Sequence, residues 1–186
     1  MKGYIYTMYE GADPGHGWAM NDPIFGDVPT LGACVPNIRR AVELGDYIFV
    51  VSGRVRQEKQ FVIGGFRIED KISALAAFRR FPENRLRVDA NGALQGNIIV
   101  NSRGEHHPLD EHDNFAERIK NYLVGGDPIV LETPSQQRAG REGTIPFLSH
   151  LFGKEGPRVF DVIGRHRKMT ESQVKHTIDW LRDLAE

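Results

Sequence analysis

The sequence is poor in the features that mark several large protein classes. Cys34 is the single cysteine among 186 residues, which excludes an intrachain disulfide framework and a zinc site built on thiolates. Basic and acidic side chains number 24 and 25, so a polycationic coat for nonspecific DNA binding is excluded but a local basic face is not. No apolar run approaches ~20 residues and no signal-peptide pattern opens the chain. We therefore expect a soluble cytoplasmic protein with no membrane partner.

The sequence also lacks the motifs that announce common cofactors. It has no phosphate-cradling glycine loop, no G-x-S-x-G elbow and no dinucleotide fingerprint. The tract HHPLDEHD has residue types that suit a metal, but Pro108 breaks it and no histidine pair has i, i+4 spacing. Helix capping explains Asp110 and Asp113 better than metal ligation. We expect no metal and no cofactor.

What is present is enough apolar material for a core, at 40% hydrophobic residues, and we predict a single domain over residues 1–186. The centre of the prediction is a hairpin with strands at residues 47–52 and 60–69. A polar loop at residues 53–59 joins them, and the Gly64–Gly65 pair predicts a β-bulge in the second strand.

The remaining segments mix helices and strands without a regular alternation. The patterns predict helices at residues 36–44, 73–80, 114–123 and 170–184, and outer strands at residues 2–9, 128–132 and 159–163. Residues 133–144 are rich in loop-forming side chains and predict a mobile loop. The fold class that follows is α+β, a small curved sheet or barrel decorated with helices.

One long tract resembles a known family. The run is DPIFGDVPTLGACVPNIRRAVELGDYIFVVSG, followed by FVIGGFRIED. It resembles the nucleotide-modification-associated domains, a family connected with DNA base hypermodification. The matching residues are Phe25, Gly26, Thr30, Leu31, Cys34, Pro36, Ile38, Arg39, Arg40, Gly45, Asp46 and Tyr47.

The resemblance extends over residues 4–134 through the later tracts GNIIVN, HHPLDEHDNF and DPIVLETP. The Gly-Asp-strand arrangement is also similar to PUA, EVE and ASCH barrels, which hold a modified or extruded base or an RNA element in a cleft. The two resemblances imply a PUA-like domain with a nucleic acid or nucleotide partner in a DNA modification or restriction setting.

The long irregular segment at residues 10–30 has the ingredients of a base pocket. Base recognition needs aromatic faces for stacking, which Trp18, Phe25 and Tyr47 supply, and polar groups for the base edge. The polar candidates are Asp22, Asp46 and Thr30. The alternative interpretation is that the aromatic residues close the open end of a barrel.

Two arginine pairs are candidates for phosphate binding. Arg39 and Arg40 lie together on the first predicted helix, and Arg54 and Arg56 lie on the hairpin loop. An arginine offers a planar fork of donors that suits phosphate. The alternative is that these side chains are simply solvated.

The sequence is also compatible with two other functions. An enzyme acting on a nucleotide or hypermodified base would use Asp22 or Asp46 with His16 or His107 as acid–base partners. It predicts two ionisable groups within hydrogen-bond reach in one cleft. A protein-interaction module predicts an exposed apolar face on the C-terminal helix and no deep cleft.

Overall fold

The computed structural model describes every residue from Met1 to Glu186 and confirms the α+β class. The elements in chain order are β1 (Gly3–Thr7), β2 (Thr30–Leu31), α1 (Pro36–Ala41), β3 (Tyr47–Val51), β4 (Val62–Ile72), α2 (Ala74–Arg80), β5 (Arg87–Val88), β6 (Leu94–Gln95), α3 (Phe115–Arg118), β7 (Tyr122–Val130), α4 (Pro134–Phe152), α5 (Val159–Ile163), β8 (His166–Met169) and α6 (Glu171–Ala185). None of the helices combines the length and the apolar character needed to cross a bilayer.

Six strands form one mixed sheet in the order β2-β7-β4-β3-β1-β8. β1 and β3 are parallel neighbours, whereas the pairs β3–β4, β1–β8 and β2–β7 are antiparallel. β5 and β6 form a separate two-stranded ribbon. The sheet ends at β2 and β8 and is not closed, so the barrel form of the prediction is wrong.

The chain divides into two compact units, each assembled from separate stretches of sequence. The first unit contains Met1–Trp18, Gly45–Arg67 and Asp127–Glu186. The second unit contains Ala19–Leu44 and Ile68–Gly126. Each unit has buried apolar side chains, among them Phe49 and Leu148 in the first and Phe81 and Ile98 in the second.

The predicted hairpin is confirmed as β3 and the start of β4. Every residue of β3 is buried, as its continuous apolar pattern predicts. The pairing shifts where Val50 faces Gly64 and Val51 faces Val62, which places a bulge beside the predicted glycine pair. A side chain on Gly64 would put its Cβ 2.2 Å from the Ile129 carbonyl oxygen, so only glycine fits here.

The predicted mobile loop at residues 133–144 is wrong, because this segment belongs to the 19-residue helix α4. A capping box between Thr133 and Gln136 starts the helix, and Gly153 in the left-handed region ends it. The internal glycines that suggested a loop provide close packing instead. A Cβ on Gly140 would lie 2.8 Å from Leu131, and one on Gly143 would lie 3.2 Å from the Trp180 ring.

Two shorter predictions also need correction. Residues 159–163 form α5 rather than a strand, because Val159, Val162 and Ile163 share one buried helical face. The last strand is β8, which pairs with β1. The helix predicted at residues 114–123 is only the four-residue α3, since the buried strand β7 already begins at Tyr122.

Candidate functional site

The strongest candidate site lies where two loops leave adjacent parallel strands of the first unit. The N-terminal loop (residues 8–18) follows β1, and the basic loop (residues 53–59) follows β3. Their backbones are hydrogen-bonded, with the Gly11 N–H donating to the Arg54 carbonyl at 3.0 Å and the Gly53 N–H donating to the Ala12 carbonyl at 2.7 Å. Both loops leave the carboxyl ends of neighbouring parallel strands, so they lie side by side at one edge of the sheet.

A surface cleft of about 630 Å³ runs along the basic loop. It is lined by Glu10 and by the residues from Arg54 to Lys59. Arg54 pairs with Glu10 at 3.0 Å, whereas Arg56 and Lys59 are exposed and have no acidic partner. The cleft therefore offers two cations for an anionic ligand.

An exposed aromatic pair belongs to the same N-terminal loop. The side chains of Tyr9 and Trp18 are 54% and 38% exposed, and their rings meet edge to face at 5.2 Å. Large exposed aromatic rings present stacking surface for a planar ligand. Trp18 was a predicted base-binding residue, whereas Tyr9 was missed because it was assigned to the predicted strand at residues 2–9; β1 ends at Thr7 and leaves Tyr9 in the loop.

His16 connects the N-terminal loop with the basic loop. A short 3-10 turn over Pro14–His16 is capped by Asp13, whose Oδ1 accepts the Gly15 N–H at 2.9 Å. His16 Nε2 lies 3.5 Å from Glu58 Oε1. An ionisable pair therefore sits in the loop pair, with a carboxylate that sequence reasoning did not identify.

Asp46 and Tyr47 have structural positions in the first unit. The Asp46 carboxylate accepts the Lys2 backbone N–H at 3.0 Å and lies 3.7 Å from the Lys2 ammonium. The buried Tyr47 ring stacks on Phe49 at 5.8 Å, and burial raises the pKa of its phenol. Because Phe49 already covers a face of the buried Tyr47 ring, the prediction that Tyr47 stacks on a base is wrong.

Asp22, in the second unit, is a buried structural carboxylate. It accepts backbone N–H groups from Gly32 at 2.7 Å, Ala33 at 2.9 Å and Cys34, and it accepts the Asn97 amide at 3.0 Å. These four donors occupy the lone pairs of the Asp22 carboxylate. It therefore has little remaining capacity to accept a hydrogen bond from a base edge or to take up a proton. Burial and the Asp22 charge also raise the pKa of the Cys34 thiol, which disfavours a nucleophilic role.

Thr30 is part of a closed polar network in the second unit. Its hydroxyl accepts amide N–H groups from Asn84 and Asn97, both at 3.1 Å. Tyr122 completes the network by donating to Asn97 Oδ1 at 2.7 Å, and burial raises the pKa of the Tyr122 phenol. Thr30 is fully buried and serves the fold, whereas Phe25 is half-buried in the same unit.

The two neighbouring arginines predicted to bind phosphate, Arg39 and Arg40, lie in different environments. Arg39 is completely buried, and its guanidinium donates to the carbonyls of Cys34, Arg118, Asn121 and Ala33 at 2.5 to 3.2 Å. Arg40 is exposed and lies 3.8 Å from Glu117. Neighbouring residues on a helix point in different directions, so a pair in sequence is not a pair in space. Arg39 therefore leaves the predicted phosphate-binding set, whereas Arg40 is exposed but belongs to the second unit.

The histidine tract forms a cluster that does not cap a helix. Asp110 is bonded to His106 at 2.7 Å and to His112 at 2.6 Å, while α3 begins after Asn114 without a side-chain cap. The predicted capping role of Asp110 is therefore wrong. His107 Nδ1 accepts the Leu109 N–H at 3.2 Å, and no group of three or more ligand side chains in the chain could hold a metal ion.

The loop pair itself depends on Gly53. A Cβ at this position would lie 1.9 Å from the Tyr9 carbonyl oxygen and 2.8 Å from the Ala12 nitrogen, both backbone atoms. We expect Gly53→Ala to separate the loops and to lower the free energy of unfolding by about 1–3 kcal/mol. Urea denaturation measures this loss, with Gly26→Ala as the control because a Cβ there meets open space. Equal stability of the two variants would contradict the described loop contact.

Comparison with known proteins does not assign a function to this chain. No protein-family model matches the sequence, and a search among curated proteins finds no significant relative. The resemblance to nucleotide-modification-associated domains accordingly stays a prediction from the residues that carry it.

Proposed function

We propose that this protein recognises a modified nucleobase or nucleotide, in a DNA base modification or restriction setting, at the loop pair of the first unit. The observation that carries the proposal is the exposed Tyr9–Trp18 pair on the N-terminal loop, which is hydrogen-bonded to the basic loop and its cleft with two unmatched cations. The family resemblance supports the biological setting. A PUA-like relation is part of the proposal.

The chemistry of the loop pair suits a ligand that is aromatic at one end and anionic at the other. Stacking of a base on an aromatic side chain is worth about 1–3 kcal/mol, and differences in stacking strength give a preference among bases. Lysine and arginine side chains neutralise phosphate and release counterions, which makes binding salt-dependent. The proposed set therefore keeps Trp18, Arg54 and Arg56 from the sequence prediction and adds Tyr9 and Lys59.

The test is a binding screen with defined oligonucleotides. Single-stranded and duplex oligonucleotides with unmodified, methylated, hydroxymethylated or glucosylated bases are titrated against the protein and the Trp18→Ala variant. We expect base-dependent binding that Trp18→Ala weakens about tenfold or more. Phe160→Ala is the control, because Phe160 is an exposed aromatic residue on α5. Absence of binding at low salt for every oligonucleotide would refute the proposal.

The salt dependence of binding gives a separate prediction for the cations. The double variant Arg56→Ala/Lys59→Ala removes two phosphate-binding charges, so the slope of log K against log salt should become shallower by about 1.4 to 1.8. Titrations at several salt concentrations measure this slope. Arg79→Ala is the control, because Arg79 is an exposed arginine of the second unit. An unchanged slope in the double variant would place the phosphate contacts elsewhere.

A second candidate function is an enzyme that alters the bound base or nucleotide. His16 and Glu58 favour it, because two ionisable groups approach within 3.5 Å in the loop pair. Mass spectrometry of an incubated oligonucleotide or nucleotide distinguishes this function from simple recognition. The interaction-module alternative has less support, because Val174, Ile178 and Leu181 on α6 are buried.

A further inference from the structure

We propose that Arg141 is a positioning residue of the loop pair. It connects the N-terminal loop with the basic loop from helix α4, and so fixes the place of Glu58 and His16 beside the cleft. The inference rests on the proposed function. It deepens that function by naming the group that holds the site in shape.

The first contact is a bidentate ion pair with the N-terminal loop. Arg141 Nη1 donates to Asp13 Oδ2 at 2.9 Å, and Nη2 donates to Asp13 Oδ1 at 2.7 Å. Asp13 is fully buried, and the Arg141 side chain is only 13% exposed. Two parallel charge-assisted hydrogen bonds fix orientation as well as distance.

The second contact reaches the basic loop. Arg141 Nη1 also donates to the Lys59 carbonyl at 2.6 Å, and Nε lies 3.8 Å from Glu58 Oε2. The other oxygen of Glu58 faces His16. A continuous chain of contacts therefore runs from the buried Asp13 through Arg141 and Glu58 to the exposed His16.

The surroundings hold the guanidinium in one place. It lies over the buried Phe61 ring at 4.6 Å, a cation–π contact. The 3-10 turn also approaches the guanidinium so closely that a Cβ on Gly15 would be 2.5 Å from Nη2. A side chain at Gly15 would therefore displace the Arg141 guanidinium from its present position.

Lysine cannot reproduce this arrangement. Its ammonium is a point charge on a flexible stem, whereas Asp13 and the Lys59 carbonyl are bound by a planar fork of donors. We therefore expect Arg141→Lys and Arg141→Met both to weaken oligonucleotide binding about tenfold. The salt slope should stay unchanged in both, because Arg56 and Lys59 remain in place. The control is Arg138→Met, which removes an exposed arginine one turn earlier on α4.

A double-mutant cycle separates positioning from general destabilisation. If Arg141 acts by holding the Glu58–His16 end of the site, the effect of Arg141→Lys should shrink from about tenfold to about twofold in a His16→Ala background. If Arg141 only stabilises the folded protein, Arg141→Lys should weaken oligonucleotide binding by the same factor in both backgrounds. All titrations are made below the unfolding transition of each variant. Asp13→Asn, which keeps the size of the partner, replaces Arg141→Lys if that variant fails to fold.

The outcomes distinguish this inference from the function on which it rests. Weaker binding with Arg141→Lys, coupled to His16, supports the positioning role. Unchanged binding with Arg141→Lys, in a protein whose binding Trp18→Ala weakens, overturns the positioning role and leaves the proposed function intact. Absence of binding by the unaltered protein overturns both.

Discussion

Replacing Arg39 by methionine is expected to lower the free energy of unfolding by about 3–5 kcal/mol. Methionine fills part of the volume but donates no hydrogen bond, so the carbonyls that Arg39 now binds lose their partner. A buried acceptor left unpaired costs about 1–3 kcal/mol, and the loss of a buried charged group with several partners is among the largest single-residue effects. The loop at Ala33 and Cys34 loses its anchor at the same time.

Arg40 provides the matched control, because it is the next residue on the same short helix. Its side chain is exposed and its ion pair with Glu117 is 3.8 Å long. Surface pairs of this kind contribute little, so Arg40→Met should change stability by no more than about 0.5 kcal/mol. Urea denaturation of both variants measures the contrast. Similar losses in the two variants would contradict the assignment of Arg39 to the interior.

Replacing Asp22 by alanine is expected to have a comparable effect, about 3–5 kcal/mol. The change removes the acceptor for three backbone N–H groups and for the Asn97 amide, in a site where water has little access. Buried donors without a partner carry their full desolvation cost. Asp27→Ala, at an exposed position nearby in the sequence, should change stability by no more than about 0.5 kcal/mol.

The conservative variant Asp22→Asn distinguishes a structural role from a role in reading a base. Asparagine keeps the shape but turns an N–H₂ group toward backbone donors, so we expect a clear loss of stability. A base-reading carboxylate behaves differently, because its amide variant binds less tightly without unfolding more easily. Thermal unfolding together with an oligonucleotide titration separates these results. Unchanged stability with weakened binding would restore Asp22 to the site.

Local patterns predicted the parts of the fold that depend on local chemistry. The continuous apolar run of β3 and the capping box before α6 are visible in the sequence and are present in the structure. The same capping signal, Thr133 with Gln136, was available for α4 but was outweighed by its glycines and by Pro146. Those glycines have a packing role that appears only when Leu131 and Trp180 are placed against them.

The site was harder to predict because it depends on partners that are distant in sequence. Arg141 lies 128 residues from Asp13, and the sequence around neither residue indicates that they form an ion pair. Burial likewise cannot be read from the sequence. Asp22 and Arg39 are residue types that often bind ligands, but both are buried and stabilise the interior. Exposure on a loop is easier to predict, and Trp18 and Arg56 are exposed on the loops where the sequence pattern places them.

Photochemical crosslinking tests the central claim most directly, because it locates the bound base. An oligonucleotide carrying iodouracil is irradiated with the protein, and mass spectrometry identifies the crosslinked residue. We expect crosslinks to Tyr9 or Trp18, competed by unlabelled oligonucleotide and reduced by the Arg56→Ala/Lys59→Ala variant. Crosslinks confined to the second unit, at Phe25 for example, would contradict the placement of the site.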